Sequence, residues 1–454
     1  MNEFFPNDLV GKFEQMLENS EEVYFDSEEY LEIITYYLDV FDSEFTLQAL
    51  DYAIKNYPSN IDIKVKLLEY YLIIEDLKNA WCVIDELREY NLEDTDYYIC
   101  LARYWSAKEM YKKAIFFYKK ALELGEELDY IHNCLGNEYL YLDEIIKALF
   151  HFQEALTLNI EDEYAFFSCI FCYEELHKTK DCISFLEAHI ERDPYAEHAW
   201  FQLGMKQFQL KLYDEALVSF DFVIVINPKS IAAYSQKALC FEKLKDYESA
   251  IKVYNESIEE DDSAAYTHLQ IGYCYNKLGK VFKALKSFLQ AIYEDPQLDK
   301  AWVELFEIYN NLGNYDEALY YINKAIELDE MNVLYIKKRA YLYVQLGQFE
   351  ESILDFQELL EMDNSNLNNY LAFSELLIAI GDYNLAIIHL NKSVLKFERA
   401  ELYYQLSNCY FLIKESELGK NALKMAYALN PDLEKEMIAK YPRLKKETKV
   451  FKRK

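Results

Sequence analysis

A small residue recurs every 34 positions along this chain, always at the same point of a helical pattern of apolar residues. The series runs through Ala80, Ala114, Ala148, Cys182, Ala216, Ala250, Ala284, Ala318, Ser352 and Ala386. A second series lies twelve residues upstream and includes Ala102, Gly136, Gly204, Ala238, Gly272, Ala340 and Ser374. A fixed period of this length indicates stacked copies of one supersecondary unit, so the whole chain is predicted to be a repeat array.

The copy at residues 197–230 shows what one period predicts. Its first half places residues on one helical face at i, i+3 and i+4, namely Trp200, Leu203 and Gly204. After a short turn, a second helical stripe follows through Tyr213, Ala216, Phe220 and Val223. Pro228 closes the copy, because proline cannot continue a helix and disfavours helix in the residue before it. Each period therefore predicts a pair of helices.

The small residues have a packing role in this interpretation. Two antiparallel helices approach closely only where one side chain is nearly absent, and large residues of the partner helix fill the space. Overfilling such a contact destabilises a core by about 1–3 kcal/mol. The structural signature of the repeat is carried by Ala80, Ala114, Ala148, Ala216, Ala250, Ala284, Ala318, Gly136, Gly204 and Gly272.

Four later copies place glycine in the turn between the two helices, at Gly279, Gly313, Gly347 and Gly381. Each follows an apolar residue. This position is typical of a helix C-terminal cap in the left-handed backbone region, so we expect a positive φ at all four glycines.

With these features the chain resembles the tetratricopeptide-repeat (TPR) proteins, whose pattern combines an aromatic residue, Leu-Gly and Tyr with Ala, Phe, Ala and a closing Pro. One copy matches at His268, Ile271, Gly272, Tyr275, Ala284, Phe288, Ala291 and Pro296, and the next at Trp302, Leu305, Tyr309, Tyr315, Ala318 and Ala325. The resemblance implies an all-α, right-handed superhelical solenoid of about twelve helix-turn-helix repeats with short capping helices, acting by protein binding.

The predicted repeats are 27–60, 61–94, 95–128, 129–162, 163–196, 197–230, 231–264, 265–298, 299–332, 333–366, 367–399 and 400–433. Residues 1–26 are predicted to hold an N-terminal capping helix and linker. Residues 434–454 are predicted to hold a C-terminal capping helix and a basic tail. Terminal caps are what an open solenoid needs to cover its exposed core.

Composition supports this organisation and narrows the class of protein. The 454 residues are 52% hydrophobic, with only 10 Gly and 7 Pro, which favours an all-helical chain over a sheet protein. No apolar run reaches the length of a membrane span, and the first residues lack the pattern of a secretory signal. Nine cysteines without framework spacing predict reduced thiols and a cytoplasmic location.

Charge is distributed unevenly. The formal net charge is −33, which argues against nucleic acid or an anionic membrane as the main partner of the body. Residues 434–454 oppose this trend with nine Lys or Arg and three Glu. This tail is interpreted as a solvated terminus, as a contact for RNA or lipid, or as a segment that competes for the acidic groove.

No catalytic constellation is present, and no enzyme activity or cofactor is predicted. The seven histidines are scattered and form no metal motif, and there is no glycine-rich phosphate loop. Cys169 and Cys172, with His177 and Cys182 nearby, permit a metal or redox interpretation. The alternative is packing by small apolar thiols, which the regular repeat position of several cysteines favours.

The candidate partner site lies on the inner face, defined as the side of the first helices that points away from the second helices. In the family this face lines a concave groove that holds peptides. The candidate binding residues are Tyr130, Tyr141, Tyr164, Phe167, Phe171, Phe201, Met205 and Phe208. These residues either form an exposed apolar patch that binds a partner, or pack sideways between neighbouring helices.

The inner face carries few basic residues, whereas Glu69, Glu174, Glu242, Glu307 and Glu375 fall there. The Lys and Asn set with which some family members grip a C-terminal carboxylate is incomplete. We therefore expect protein or peptide ligands with apolar anchors and basic flanks, and no small-molecule substrate. The predicted role is a scaffold or adaptor. The alternatives are a chaperone-like holder of unassembled proteins and a tail-mediated RNA or membrane-surface protein.

Overall fold

The computed structural model describes residues 8–19, 23–258 and 264–445. Within these ranges the chain forms 26 α-helices and two short 3₁₀ helices, and no strand, so the all-α prediction is confirmed. The α-helices, numbered in chain order, are α1 Asp8–Asn19, α2 Ser27–Asp39, α3 Ser43–Asn56, α4 Ile61–Ile73, α5 Leu77–Leu87, α6 Thr95–Ala107, α7 Tyr111–Leu124, α8 Leu128–Tyr141, α9 Ile145–Leu158, α10 Glu163–Glu175, α11 Thr179–Arg192, α12 Glu197–Gln209, α13 Tyr213–Ile226, α14 Ile231–Lys243, α15 Tyr247–Ile258, α16 Ala265–Lys277, α17 Val281–Glu294, α18 Asp299–Asn311, α19 Tyr315–Leu328, α20 Val333–Leu346, α21 Phe349–Met362, α22 Leu367–Ile380, α23 Tyr383–Phe397, α24 Ala400–Leu412, α25 Ser416–Leu429 and α26 Glu434–Lys440.

The chain divides into two compact units, residues 1–192 and 193–454. The first unit contains α1 to α11 and the second contains α12 to α26. Within each unit every helix packs against its neighbour in the chain, and first helices also contact the next first helix, as α4 contacts α6 and α22 contacts α24. None of the described helices exceeds 15 residues, and none has the character of a membrane span.

The turn between the two helices of a pair has a left-handed residue in all twelve pairs. The predicted glycines adopt it, with φ of 69°, 78°, 74° and 86° at Gly279, Gly313, Gly347 and Gly381. The same position is filled elsewhere by other residue types with φ between 54° and 67°, namely Phe41, Glu75, Glu109, Asp143, His177, Lys211, Lys245 and Lys414. The turn geometry is therefore constant although only four copies supply glycine.

The small residues lie where the helices of a pair touch. All seven alanines of the signature are fully buried. A Cβ atom added to Gly136 would lie 2.5 Å from Cε1 of Phe152, and one added to Gly204 would lie 2.7 Å from Cε1 of Phe220. Gly272 meets Phe288 in the same way. The glycine of the first helix therefore makes room for the phenylalanine ring of the second, as the sequence pattern predicts.

Terminal segments cover both ends of the array. In α1, Val10, Phe13 and Met16 are buried in one cluster with residues of α2 and α3. At the other end Met437, Tyr441 and Leu444 are buried against α24 and α25. The tail beyond residue 445, like Pro6, lies outside the described residues.

Candidate functional site

Three of the predicted binding residues form an exposed aromatic depression on α10. Tyr164, Phe167 and Phe171 lie at i, i+3 and i+7, and their exposed fractions are 53%, 42% and 46%. Together with Glu163 and Ser168 they line a shallow cavity of about 440 Å³. We call these three rings the aromatic depression. Exposed apolar side chains are common on this chain, and what distinguishes these three rings is that they lie together and line one cavity.

The opposite side of α10 anchors the helix in the core. Phe166 and Cys169 are fully buried and Ile170 is 5% exposed. Asp162 begins the helix, because its side chain accepts a hydrogen bond from the backbone N–H of Ala165 at 3.0 Å. The rings of the aromatic depression thus project from a helix whose orientation is determined by its buried side.

Neighbouring helices hold the first ring of the depression in place. The Tyr164 hydroxyl donates to Oδ1 of Asn137 on α8 at 2.5 Å. Its ring also meets Phe152 of α9 edge to face, with centroids 6.2 Å apart. A further hydrogen bond joins Asn133 Nδ2 to Asp162 Oδ2 at 2.5 Å. Tyr164 and the start of α10 are therefore held by contacts with α8 and α9 of the same unit.

A second feature of the inner face lies nearer the N-terminus of this unit. It is a cavity of about 260 Å³ lined by Thr35, Asp39, Lys66, Glu69, Asp96, Ile99, Cys100, Arg103, Glu127 and Tyr130. We call it the charged pocket. Four carboxylates face two cations there, so the pocket has a net formal charge of −2. The predicted residue Tyr130 is 44% exposed and lines this pocket rather than the aromatic depression.

Ion pairs organise the charged pocket. Lys66 Nζ lies 3.0 Å from Glu69 Oε2 and 3.4 Å from Asp96 Oδ2, and Arg103 lies 3.8 Å from Glu69. Burial disfavours the Lys66 ammonium, but its two carboxylates outweigh that effect and raise its pKa above the ordinary value. Burial, reinforced by Asp96, raises the pKa of Glu127. A further cation would relieve the excess of negative charge.

Most residues of the charged pocket were not predicted from the sequence. Of its lining residues only Glu69 and Tyr130 were predicted, although Thr35, Glu69 and Arg103 are spaced by 34 residues and occupy equivalent positions on α2, α4 and α6. The signal in the sequence is the recurrence of polar and charged residues at the same position of consecutive repeats. It becomes visible when these residues, like the small residues, are aligned by the repeat period.

Tyr141, another predicted residue, lies apart from both features. Its ring stacks on Tyr111 with centroids 4.9 Å apart, and it is 64% exposed. It lines a separate cavity of about 390 Å³ together with Arg103 and Tyr118.

The remaining three predicted residues belong to the second unit and are half-buried. Phe201, Met205 and Phe208 pack against a core cluster that contains Phe220. Phe201 meets Phe220 edge to face at 5.7 Å, and Phe208 meets Tyr213 at 5.3 Å. The structure therefore places these side chains in intramolecular packing, whereas it leaves the rings of α10 exposed.

The cysteines near Cys169 are also packing residues. Cys169, Cys172 and Cys182 are buried, whereas His177 is exposed in its turn. Burial raises the pKa of the Cys172 thiol to about 11, so the thiolate that metals and redox chemistry require is disfavoured. Within the described part of the chain no group of three His, Cys, Asp or Glu is placed to hold a metal ion.

The described part of the C-terminal segment contacts the inner face of its own unit. Lys440 Nζ of α26 lies 2.5 Å from Glu375 Oε1 on α22. Gln405 donates a hydrogen bond to the same carboxylate oxygen at 3.2 Å. Tyr441, which follows α26, is buried, and its burial raises its pKa. Glu375, one of the acids predicted to lie on the inner face, thus already forms an ion pair with the chain's own C-terminal helix, α26.

Two family models match parts of the chain. A tetratricopeptide-repeat model matches residues 338–366, within the repeat predicted at 333–366. A model described as ChAPs (Chs5p-Arf1p-binding proteins) matches residues 205–340. No curated protein matches the chain in sequence.

Several solved structures resemble parts of the chain. The C-terminal part of a TPR repeat-containing protein from Cytophaga hutchinsonii is 18% identical, with a TM-score of 0.44, over 51% of this chain and 96% of that one. A tetratricopeptide repeat protein from Parabacteroides merdae is 18% identical, with a TM-score of 0.37, over 56% and 95%. YrrB, described as a TPR protein with an unusual peptide-binding site, is 14% identical, with a TM-score of 0.33, over 40% and 95%.

Proposed function

We propose that this chain, which belongs to the tetratricopeptide-repeat proteins, is a scaffold or adaptor that binds polypeptide segments on the inner face of its first unit. Proteins of this family generally mediate protein–protein interactions and are typically non-enzymatic. The family matched at residues 205–340 is likewise described as protein-binding. The finer claim, which residues bind and what they bind, depends on the geometry of residues 23–192.

The observation that carries the proposal is the aromatic depression. Three exposed rings lie on one face of α10, and the first of them, Tyr164, is held by a hydrogen bond and an edge contact, so they form an apolar surface on an anchored helix. Binding energy at protein interfaces is concentrated in a few buried aromatic or aliphatic anchors that fill such pockets. We therefore assign Tyr164, Phe167 and Phe171 to the contact with an apolar anchor of the partner.

The charged pocket supplies the second part of the recognition. Its net charge of −2 and the raised pKa of Glu127 favour an added cation, so a Lys or Arg side chain of the partner complements it. Charge complementarity of this kind contributes to orientation and association rate. Tyr130, a residue of α8, also lines the pocket. The proposed ligand is therefore a segment with an apolar anchor and a basic flank.

The proposal involves no catalytic step and no cofactor. It includes a cytoplasmic location, which is supported by nine free thiols, seven of them buried. In the second unit Phe201, Met205 and Phe208 are assigned to support of the fold, since they pack on the core cluster around Phe220.

A peptide-array experiment tests this proposal. The array presents twelve-residue peptides with one Phe, Leu or Trp anchor, each flanked by Lys and Arg, by Ser, or by Glu. We expect the intact protein to prefer the basic flanks, and Phe167→Ala with Phe171→Ala to weaken that binding about tenfold or more, because two rings of the depression are lost.

Phe282→Ala is the matched control, because Phe282 is an 87% exposed ring on α17, outside the proposed site. Helical circular dichroism and the melting temperature verify the fold of every variant. Equal weakening by the control variant contradicts the assignment to the depression. Binding of apolar peptides regardless of flanking charge favours the chaperone-like alternative instead.

A further inference from the structure

The first unit contains another cavity, on the side of α6 opposite to the charged pocket. It measures about 590 Å³ and is bounded by α6, α7 and the segment after α5. Tyr98, Leu101 and Trp105, at i, i+3 and i+7 of α6, form one wall. Asp96 and Arg103, which line the charged pocket, lie on the other side of the same helix. We call this feature the outer cavity.

A short helix opens the outer cavity. α5 has 11 residues, whereas α3 and α7, the second helices on either side, have 14 each. The chain leaves α5 through a 3₁₀ turn at Arg88–Tyr90, and Asn91 then adopts a left-handed conformation with φ of 49°. Residues 91–93 consequently form a wall of the cavity at the place where another helical turn would otherwise pack.

Aromatic rings and cations line the outer cavity together. Phe116, 55% exposed, and Phe117 project from α7, and Lys113 Nζ lies 3.9 Å from the ring centroid of Trp105. Lys120 lies 5.2 Å from the rings of both Tyr98 and Phe116. These distances are within the range of cation–π contacts. One carboxylate, that of Glu93, also lines the cavity.

The charge of α7 contrasts with that of the chain. The helix carries Lys112, Lys113, Lys119 and Lys120 against a single acid, Glu123, in a chain with 80 acidic and 47 basic residues. Among the described residues, no carboxylate forms an ion pair with any of these four lysines. A lysine ammonium has three N–H donors, and contact with a ring face leaves donors available to an anion.

We propose that the outer cavity is a second docking site, and that its occupant is an acidic segment of a partner protein carrying one apolar or aromatic anchor. The anchor packs against Tyr98, Leu101 and Phe117. Carboxylates on either side of it accept hydrogen bonds from Lys113, Lys120 and Arg88. Charge complementarity selects this partner, because Arg88 and Lys113 line the cavity against the single carboxylate of Glu93, and Lys120 lies beside it, on a strongly acidic molecule.

This inference does not depend on the function proposed above, since the two surfaces lie on opposite sides of α6 and favour ligands of opposite charge. An adaptor with both surfaces is able to hold a basic and an acidic partner on one unit. Binding at the outer cavity is therefore tested with the inner-face residues unchanged.

The test uses isothermal titration calorimetry of the full chain with a synthetic peptide, Glu-Asp-Glu-Phe-Asp-Glu-Asp, acetylated and amidated at its ends. We expect saturable binding that weakens as salt is raised, and weakens further when Phe is replaced by Ala in the peptide. Lys113→Gln with Lys120→Gln should lower the affinity about tenfold or more, because two charge-assisted contacts are removed.

Lys252→Gln with Lys286→Gln is the matched control. Both are exposed lysines on second helices of the other unit, so the same charge is removed away from the cavity. We expect this variant to keep the affinity within about twofold of the original. Circular dichroism establishes that both double variants retain their helices.

Three results overturn the proposal. The first is absence of peptide binding to the intact protein, and the second is equal loss of affinity in the control variant. The third is tighter binding of another occupant through the same two lysines, tested with AMP, inorganic phosphate, a single-stranded RNA and a second copy of the chain by sedimentation.

Discussion

Repeats 163–196 and 197–230 place phenylalanine at the same inner position, and the two rings have different environments. Phe167 is 42% exposed, whereas Phe201, 34 residues later, is half-buried against Phe220. The difference originates inside each helix pair. Gly204 admits the ring of Phe220, and Phe201 packs edge to face against that ring. In the preceding repeat Ile170 and Leu186 take these two places, and Phe167 meets the buried Phe166 of its own helix edge to face, with centroids 5.2 Å apart.

In several repeats the size of the residue on the first helix is related to the size of the residue that faces it on the second helix. A glycine of the first helix faces a phenylalanine of the second in three pairs, at Gly136, Gly204 and Gly272, and in the last pair Gly419 of the second helix faces Phe411 of the first. Where the first helix has a larger residue, the second has an aliphatic one, as in Ile170 with Leu186 and Phe306 with Ile322, and all four are buried. A glycine in the first helix is thus paired with a ring in the second, and a larger residue with an aliphatic side chain. A ring in the second helix offers an aromatic contact to an inner-face ring, as Phe220 does to Phe201.

The largest expected effect comes from giving repeat 197–230 the packing of its neighbour. Gly204→Ile should destabilise the protein by about 3 kcal/mol, because the new side chain overlaps the ring of Phe220. Adding Phe220→Leu should restore part of that loss, since it reproduces the pair found in repeat 163–196. Urea unfolding followed by circular dichroism measures both changes. A double variant as unstable as Gly204→Ile alone contradicts the size-pairing explanation.

A smaller effect distinguishes the two phenylalanines directly. Phe201→Ala should lower the free energy of unfolding by about 2 kcal/mol, because the ring packs on the core cluster of α12 and α13. Phe167→Ala should lower it by less than about 1 kcal/mol, because the ring is exposed. The urea midpoints of the two single variants give the comparison. Equal losses would show that inner position, rather than local packing, determines the role of the ring.

In peptide binding the order of these two variants should reverse. Phe167→Ala removes one ring of the aromatic depression and should weaken basic-flanked peptides about fivefold to tenfold. Phe201→Ala should change the affinity by less than about twofold, since its ring packs inside the second unit. Fluorescence anisotropy with a labelled peptide measures both. Substituting both residues together, as the sequence pattern alone suggests, would mix a stability effect with a binding effect.

The smallest expected effect is a gain in stability that should be the same in both repeats. Their turns place His177 and Lys211 at φ of 54° and 63°. Replacing either residue with glycine should raise stability by about 0.5–1 kcal/mol, because glycine adopts the left-handed region without a Cβ clash. Thermal unfolding of the two single variants measures the gain. A loss of stability in one repeat alone would show that its turn side chain makes a contact that compensates for the strain.

Features that depend on contacts within one helix pair could be predicted from the sequence. The 34-residue period, the small residues at the helix contact and the four turn glycines each follow from local geometry, and the structure agrees with them. It did not identify the eight other left-handed turns, because Glu75 or Lys245 gives no local signal of a positive φ. Those turns become evident only when the copies are aligned by period.

The candidate site, in contrast, could be predicted from the sequence only in small part. The eight predicted inner-face residues share one side of their helices, yet they separate into the aromatic depression, the charged pocket, the stack on Tyr111 and the core cluster near Phe220. The outer cavity was not foreseen at all. A helical period establishes which side of a helix a residue occupies. Exposure depends instead on the sizes and charges contributed by neighbouring helices, and on the length of α5, and these are brought together only when the repeats pack.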